Sequence, residues 1–421
     1  MIADILENFL NRVYQVMRSA IFFSELKIYF KSYSPLFATF LPWTFVLVGS
    51  LFPLCKIIQS DISLMHLLVL GNMLSLCFLI LFRHVFSRGD KVEFKSPIES
   101  LCLTSRFKRL IFRMLFFFLL IECFQMVYFG GVPLFWVLTR DSRSYVDYGF
   151  QSLNGLLNAV YLLATTGLAF LVFVEYKKRY LFFLILLILF PILLVSRQVL
   201  MCLFLQISCC YMFVYPDKKW KVLKYFIAVL AVFVLIGNIR TGLSSLVSIL
   251  EPYGYVPQML YPLLWIYAYV LTPFNNISAS IDVITPVGAP YLELSSLVPS
   301  TLKSWFSVSV ANTGFKLVHK NMTVSTFYYQ PLLDFGPVYA FGFMMFFQVL
   351  FLKSFWRLMK APSAVYLIEY SVYYMIMILS IFSNLFLFLP VIFQLIMIQV
   401  LKFQFVRKAD QVILRHRKGT I

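Results

Sequence analysis

Ten long apolar segments, separated by short polar or basic stretches, limit most strongly what this chain can fold into. A transmembrane helix needs about 20 mainly apolar residues, and each segment is close to that length. The segments therefore predict an all-α polytopic membrane protein with about ten transmembrane helices, or as many as twelve if two further apolar stretches also cross. The predicted spans are residues 36–55, 62–82, 110–129, 153–174, 180–196, 198–215, 222–239, 331–352, 364–382 and 385–401.

The composition excludes the soluble classes. Hydrophobic residues make up 61% of the 421 positions and charged residues only 13%, about half of the quarter that is typical of soluble proteins. The net charge of +18 raises the question of nucleic-acid binding. However, the basic residues lie in short clusters between apolar segments, so no basic face remains for a nucleic acid, and no such partner is expected.

The distribution of the basic residues predicts the orientation of the chain. One set of alternate loops, which includes both termini, carries 28 of the 36 Lys and Arg residues. Loops rich in Lys and Arg remain in the cytoplasm, so both termini are expected inside. The chain then divides into a cytoplasmic or interfacial segment at 1–34, helices 1–7 at 35–239, a large external region at 240–330, helices 8–10 at 331–401, and a basic cytoplasmic tail at 402–421.

Two further apolar stretches are the candidates for additional spans. Residues 255–274 contain three prolines, and a crossing there would place the later basic loops outside. This stretch is expected to form a re-entrant or interfacial element buried against protein, because irregular backbone cannot face lipid. Residues 14–33 are aromatic and basic, which favours a position on the inner leaflet held by anionic membrane lipids.

Four external arginines are the first candidates for a binding site, namely Arg140, Arg143, Arg197 and Arg240. The last two border apolar segments, and an arginine at that depth is a functional-site hypothesis by default. A guanidinium group is always charged and offers a planar fork to phosphate, so these residues could bind a lipid pyrophosphate. The alternative is that each arginine reaches lipid headgroups without any specific role.

Asp334 and His319 are the candidates for a general base in the external region. Other carboxylates lie on the same side, and their spacing does not choose among them. Asp334 could instead serve as a carboxylate at a helix N-terminus, and a lone loop histidine such as His319 is often only solvated. Glu122 and Glu369 fall within predicted spans, where each is expected to pair with an arginine or lysine. The seven cysteines form no CxxC motif and no Cys/His cluster, so no disulfide framework and no metal site are expected.

Several short motifs resemble one known family. They are GGVPLF followed by Arg140, SRQ at Arg197, IRTG at Arg240, PFNN at 273–276, and STFYYQPLLDFGPVYAF at 325–341. Together with ten or more spans and a large late external loop, this pattern is similar to the O-antigen polymerase (Wzy) family. Some members carry arginines followed eleven residues later by glycine, but here that offset holds Gln151, Asn154, Ser208 and Glu251.

The resemblance implies a GT-C-like glycosyltransferase at the periplasmic face of a bacterial inner membrane. It would use undecaprenyl-pyrophosphate-linked oligosaccharides as donor and acceptor, without a metal or other cofactor, and a chain-length regulator protein would be a further partner. The four arginines would stabilise the leaving pyrophosphate, and Asp334 or His319 would act as base. An O-antigen ligase, a lipid-linked oligosaccharide flippase and a membrane O-acetyltransferase remain the alternatives.

Overall fold

The computed structural model describes residues 28–58, 61–86, 105–139, 141–143, 147–150, 153–241, 249–298, 313–319 and 322–418. Within these ranges the chain is helical and forms no strand. The helices are α1 (Pro35–Leu51), α2 (Leu64–Phe86), α3 (Ser105–Tyr128), α4 (Pro133–Leu138), α5 (Leu153–Glu175), α6 (Lys178–Leu193), α7 (Arg197–Val214), α8 (Lys219–Thr241), α9 (Tyr261–Ser278), α10 (Tyr291–Leu297), α11 (Tyr329–Phe335), α12 (Pro337–Lys360), α13 (Ala364–Leu379) and α14 (Leu389–Lys418).

The described helices make this chain a multi-pass membrane protein. Six of them are long and apolar enough to cross a membrane, and shorter apolar helices accompany them at Pro35–Leu51, Ala364–Leu379 and Leu389–Phe405. Every one of the ten predicted apolar segments contains a helix. The N-terminal 27 residues, which hold most of the predicted inner-leaflet stretch, lie outside the described residues.

Helix α5 is the centre of the bundle. Within its most apolar stretch 83% of the residues are buried, whereas only 22% are buried in the corresponding stretch of α8. A helix that is apolar on all sides is stable only where other helices surround it. Accordingly α3, α6, α7, α13 and α14 all pack on α5, and the outer helices present exposed apolar side chains such as Phe116 and Leu74.

Several polar side chains inside the bundle are paired with one another. The amides of Gln206 and Gln394 exchange two hydrogen bonds of 3.1 and 2.8 Å. Glu369 pairs with Lys402 and lies 4.0 Å from Arg357, which confirms the basic partner predicted for it. Glu122 instead accepts a hydrogen bond of 3.1 Å from the Tyr148 hydroxyl. Such pairs hold helices together where water cannot serve as a partner.

The predicted eighth span, 331–352, is divided by a glycine. Gly336 has φ +86° and ψ −174°, a conformation that is essentially restricted to glycine, and it ends α11. Pro337 then starts α12 at the position where a helix loses nothing by lacking an N–H group. The element that carries Asp334 is therefore a separate short helix that precedes the long apolar one.

The stretch 255–274 contains a helix, α9, packed inside the protein. It contacts α1, α2 and α8, and its buried residues include Leu264, Trp265 and Ala268. The Tyr267 hydroxyl accepts from the Leu54 N–H at 2.9 Å and donates to the Gly49 carbonyl at 3.2 Å. These contacts join α9 to the C-terminal end of α1.

Candidate functional site

A cleft and a cavity adjoin at the end of the bundle that the charge pattern predicts to be external. The cleft has a volume of about 880 Å³ and is lined by residues of segments 315–317, 323–325, 329–330 and 382–384. The cavity has a volume of about 190 Å³ and is mainly apolar. Val324, Phe382 and Ser383 line both. An apolar chamber that adjoins a more polar one suits a ligand with a lipid part and a polar part.

The PFNN motif holds the floor of this site in place. Asn276 donates from its side-chain nitrogen to the carbonyl oxygens of Met322 and Val324, at 2.7 and 2.9 Å, and its side-chain oxygen accepts from the Val318 N–H at 3.0 Å. Asn275 donates to the Ile57 carbonyl at 2.7 Å. The two asparagines therefore link α9 both to the cleft segment and to the loop between α1 and α2.

Arg197 lies beside the apolar cavity within a set of aromatic rings. It begins α7, and its guanidinium carbon lies 5.4, 5.3 and 5.4 Å from the ring centres of Phe233, Trp265 and Tyr269. Phe233 and Tyr269 also line the cavity, as does the neighbouring Gln198. Stacking against rings keeps the cation oriented without neutralising its charge. Of the four predicted arginines, this is the one that the described residues bring to the site.

Arg143 forms its hydrogen bonds and its ring contact within its own loop region. It donates to both Asp141 oxygens, once from its backbone, and to the Phe129 carbonyl, and it stacks on Trp136 at 4.4 Å. These hydrogen bonds and the charge of Arg143 lower the pKa of Asp141 to about 2. Arg143 is not among the residues that line the cleft or the cavity.

The other two predicted arginines lie wholly or partly outside the described residues. Arg140 lies outside the described residues. Arg240 lies near the C-terminal end of α8, but its side chain also falls outside the described part of the structure. Their predicted contact with a pyrophosphate therefore stays a prediction.

Asp334 holds the start of another helix. Its two carboxylate oxygens accept hydrogen bonds from the backbone N–H groups of Leu292 and Glu293, at 3.0 and 2.9 Å, in the first turn of α10. The side chain is fully buried. Burial raises the pKa of Asp334, and the two backbone hydrogen bonds lower it in part. This geometry corresponds to the structural alternative for Asp334, a carboxylate at a helix N-terminus.

Glu293 forms a second buried carboxylate beside Asp334. The Tyr339 hydroxyl donates to its Oε2 at 3.1 Å, while its Oε1 has no hydrogen-bond partner among the described residues. Burial raises the pKa of Glu293, and the nearby charge of Asp334 raises it further. In the sequence, Glu293 is one of several external carboxylates. Its spacing from Asp334 gives no sign that the two carboxylates lie close together.

Two amides line the cleft with unused hydrogen-bonding groups. Neither the Oδ1 nor the Nδ2 of Asn384 has a partner in the described structure, and the residue is only 5% exposed. The Oε1 of Gln330 is likewise buried and without a partner. Most buried polar atoms in proteins are hydrogen-bonded, so such exceptions call for an explanation, and a ligand rich in hydroxyl groups would supply the missing partners.

Of the described residues that line the cleft, Lys316 is the one that carries a positive charge. Its backbone exchanges hydrogen bonds of 3.0 and 3.1 Å with the Ser280 hydroxyl, which fixes the segment on the end of α9. His319, the predicted base, follows three residues later, and its carbonyl oxygen accepts from the Met322 N–H. In the described parts of the chain, no three His, Cys, Asp or Glu side chains lie close enough together to hold a metal ion.

Comparison with known proteins yields no relative. No protein-family model, no curated protein and no solved structure matches the chain.

Proposed function

We propose that this protein is a glycosyltransferase that polymerises undecaprenyl-pyrophosphate-linked oligosaccharide repeat units into O-antigen or a related surface polysaccharide. The observation that carries the proposal is the junction of the apolar cavity with a cleft whose buried amides, Asn384 and Gln330, have atoms without partners. The motifs that resemble the O-antigen polymerase family supply the reaction class. In this proposal the chain is GT-C-like, with ten spans, both termini in the cytoplasm and the cleft facing the periplasm.

Each part of the site suits one part of a lipid-linked sugar. The apolar cavity accepts isoprenoid units next to the pyrophosphate. Arg197, packed against the cavity residues Phe233 and Tyr269, and Lys316, in the cleft wall, supply the positive charge that a pyrophosphate needs. The amides of Asn384 and Gln330 bind sugar hydroxyl groups, and the ring of Tyr329 at the cleft wall offers a face for a sugar ring.

The proposed reaction needs only a base and an anion-binding site. A hydroxyl group of the acceptor repeat unit attacks the anomeric carbon of the donor chain, and a new glycosidic C–O bond forms. The bond from that carbon to the pyrophosphate oxygen breaks, and undecaprenyl pyrophosphate leaves with its charge stabilised by Arg197. In this proposal the hydroxyl proton passes to His319, two residues beyond the cleft-lining Leu317. Asp334 has a positioning role, because it accepts from the first turn of α10.

Arg197→Ala provides the first test, in a membrane polymerisation assay that separates products by chain length. We expect chain extension to fall by about a hundredfold or more, on the scale of removing one group that stabilises a developing anion. Arg197→Lys should restore little, because an ammonium group cannot replace the planar fork. Arg83→Ala is a matched control, because Arg83 also stacks on a tryptophan, Trp356, at 3.6 Å, but outside the site. Full-length ladders from Arg197→Ala would reject the proposal for this residue.

The same assay separates the rival functions. A polymerase produces a ladder of chain lengths from single lipid-linked repeat units. An O-antigen ligase instead transfers a chain once to the lipid A core, and a flippase forms no glycosidic bond. A product that contains only single transfers to lipid A core would favour the ligase.

A further inference from the structure

A second cleft lies at the opposite end of the bundle, between α3 and α6. It has a volume of about 500 Å³ and is lined by four basic and three aromatic residues: Lys108, Arg109, Phe112, Arg113, Arg179, Tyr180 and Phe183. We call it the basic cleft. Helix α6, with its 16 residues, separates the basic cleft from the Arg197 end of the molecule by about 24 Å, at 1.5 Å per residue. The loop charges predict that this end faces the cytoplasm.

Among the described residues, carboxylates balance only part of the charge in the basic cleft. Glu175 pairs with Lys108 and, at 3.0 Å, with Lys177. No carboxylate in the described ranges pairs with Arg109, Arg113 or Arg179. Arg179 interacts with the neighbouring Tyr180, through the ring face and a long hydrogen bond to the hydroxyl group.

The helix termini add to the positive potential. Arg109 lies in the first turns of α3 and Arg179 in the first turn of α6, and neither helix has an acidic residue in its first turn. The N-terminal end of a helix carries a partial positive charge and normally favours acidic side chains there. Three arginines and the N-terminal end of α6 therefore meet at one cleft, an arrangement that an external anion would stabilise.

The surface next to the basic cleft is apolar. Phe116 lies one turn further along α3 and is 70% exposed, and on α6 Phe182 and Phe183 are 61% and 46% exposed. Both helices pass from a basic end directly to aromatic side chains that face the surroundings. A ligand that fits this surface has a negatively charged head and apolar chains.

We propose that the basic cleft binds the phosphate groups of an anionic glycerophospholipid of the cytoplasmic leaflet. Arg109, Arg113 and Arg179 contact the phosphates, and the acyl chains lie along the exposed phenylalanines of α3 and α6. Three arginines suit two phosphate groups better than one, so a diphosphate lipid such as cardiolipin binds more tightly than phosphatidylglycerol. The site is separate from the proposed glycosyl-transfer site and does not depend on that proposal.

Native mass spectrometry of the full-length, delipidated protein in detergent tests this site. The probes are cardiolipin, phosphatidylglycerol, the zwitterionic phosphatidylethanolamine, and inorganic phosphate. Wild-type protein should retain cardiolipin best and phosphatidylethanolamine least. The variant Arg109→Ala/Arg113→Ala/Arg179→Ala should bind cardiolipin about a hundredfold more weakly, as expected for losing three charges close to an anionic headgroup. A version with glutamine at the same positions preserves side-chain bulk, and a thermal melt without lipid checks that each variant is folded.

A matched control removes three lysines from the same predicted face, Lys218→Ala/Lys221→Ala/Lys224→Ala, and should bind cardiolipin as the wild type does. Equal cardiolipin binding by the folded arginine variants would overturn the proposal. Equal retention of phosphatidylethanolamine and cardiolipin by the wild type would also overturn it, because apolar contact alone would then hold the lipid. Displacement of cardiolipin by a similar concentration of inorganic phosphate would assign the cleft to a soluble anion instead.

Discussion

Asn384 is buried, and its side-chain amide forms no hydrogen bond with the described residues. Both of its polar side-chain atoms lack partners in the described structure, and leaving a buried polar atom without a hydrogen bond costs about 1–3 kcal/mol. A fold that retains such a residue gives up stability at that position. In the proposed function, sugar hydroxyl groups that enter the cleft form the missing hydrogen bonds and so offset this loss of stability.

Asn384→Leu tests this trade between stability and function. Leucine has nearly the same size and needs no hydrogen bond, so the melting temperature should stay the same or rise. Polymer formation should nevertheless fall by at least about tenfold, the scale of one lost hydrogen bond to substrate. Gln399→Leu is the control, because Gln399, an exposed residue of α14, donates to the buried Glu369, and its replacement should lower stability instead. A variant that is both less stable and fully active would contradict the role given to Asn384.

The two buried carboxyls, Asp334 and Glu293, predict how stability depends on pH. Burial raises the pKa of each above its ordinary value, 3.8 for Asp334 and 4.5 for Glu293. The folded state therefore binds more protons than the unfolded state above these values. Because the state that binds more protons is favoured at low pH, the contribution of this pair to the free energy of unfolding falls as pH rises through the raised pKa values.

Glu293→Gln should flatten this pH dependence, since glutamine does not titrate and can still accept from Tyr339. Thermal melts of wild type and variant between about pH 4 and pH 8 would measure the difference in slope. Asp334→Asn should do the same but also lower stability at every pH, because its amide can accept only one of the two backbone hydrogen bonds. Identical slopes in the wild type and Glu293→Gln would show that Glu293 titrates normally.

At the scale of elements, the break between α11 and α12 sets the position of the cleft wall. Helix α11 carries Tyr329 and Gln330 into the cleft and Asp334 towards α10, and α12 continues as an apolar helix. A single continuous helix would carry these residues along the axis of α12. The separate direction of α11 depends on Gly336.

Gly336→Ala should therefore lower stability by about 1–3 kcal/mol, because its backbone conformation is strained for any residue with a side chain. An added Cβ would also lie 3.2 Å from Pro286 Cγ. Gly342→Ala, in the second turn of α12, is the control. There a Cβ meets nothing within 4 Å, and alanine should stabilise the helix by up to about 1 kcal/mol. Denaturation midpoints of the two variants, measured in the same detergent, would compare their stabilities. Equal effects of both changes would show that the backbone conformation of Gly336 does not require glycine.

At the scale of the whole molecule, the sequence predicted the helical elements well because membrane helices are encoded locally. Apolar length is a property of a single segment, so each of the ten predicted segments contains a helix. Arg197 could be selected for the same reason, since its depth follows from its place between two apolar segments. The break at Gly336 was missed because the apolar pattern continues across it.

The composition of the site could not be predicted because it depends on contacts between distant parts of the chain. Asp334 bonds backbone groups 41 and 42 residues earlier, and the cleft unites segments near 316, 330 and 384. Trp265 and Tyr269 could be interpreted from sequence as interfacial or sugar-binding rings, yet in the structure they stack on each other at 5.1 Å and surround Arg197. A single amide residue such as Asn384 belongs to no motif with a recognisable spacing, so the sequence does not indicate that it lies in the site.

In the proposed function, the cavity beside Arg197 and the adjoining cleft hold a polyprenyl-pyrophosphate-linked sugar. Photo-cross-linking tests it most directly, with a probe that carries a photoreactive group in the isoprenoid unit nearest the pyrophosphate, followed by mass spectrometric mapping. We expect adducts on the cavity residues of α8 and α9, such as Phe233, Ile266 and Tyr269. An excess of unlabelled lipid-linked repeat unit should suppress these adducts, and Arg197→Ala should strongly reduce them. Adducts spread over the outer surface of the bundle, or confined to the basic cleft and unaffected by Arg197→Ala, would contradict it.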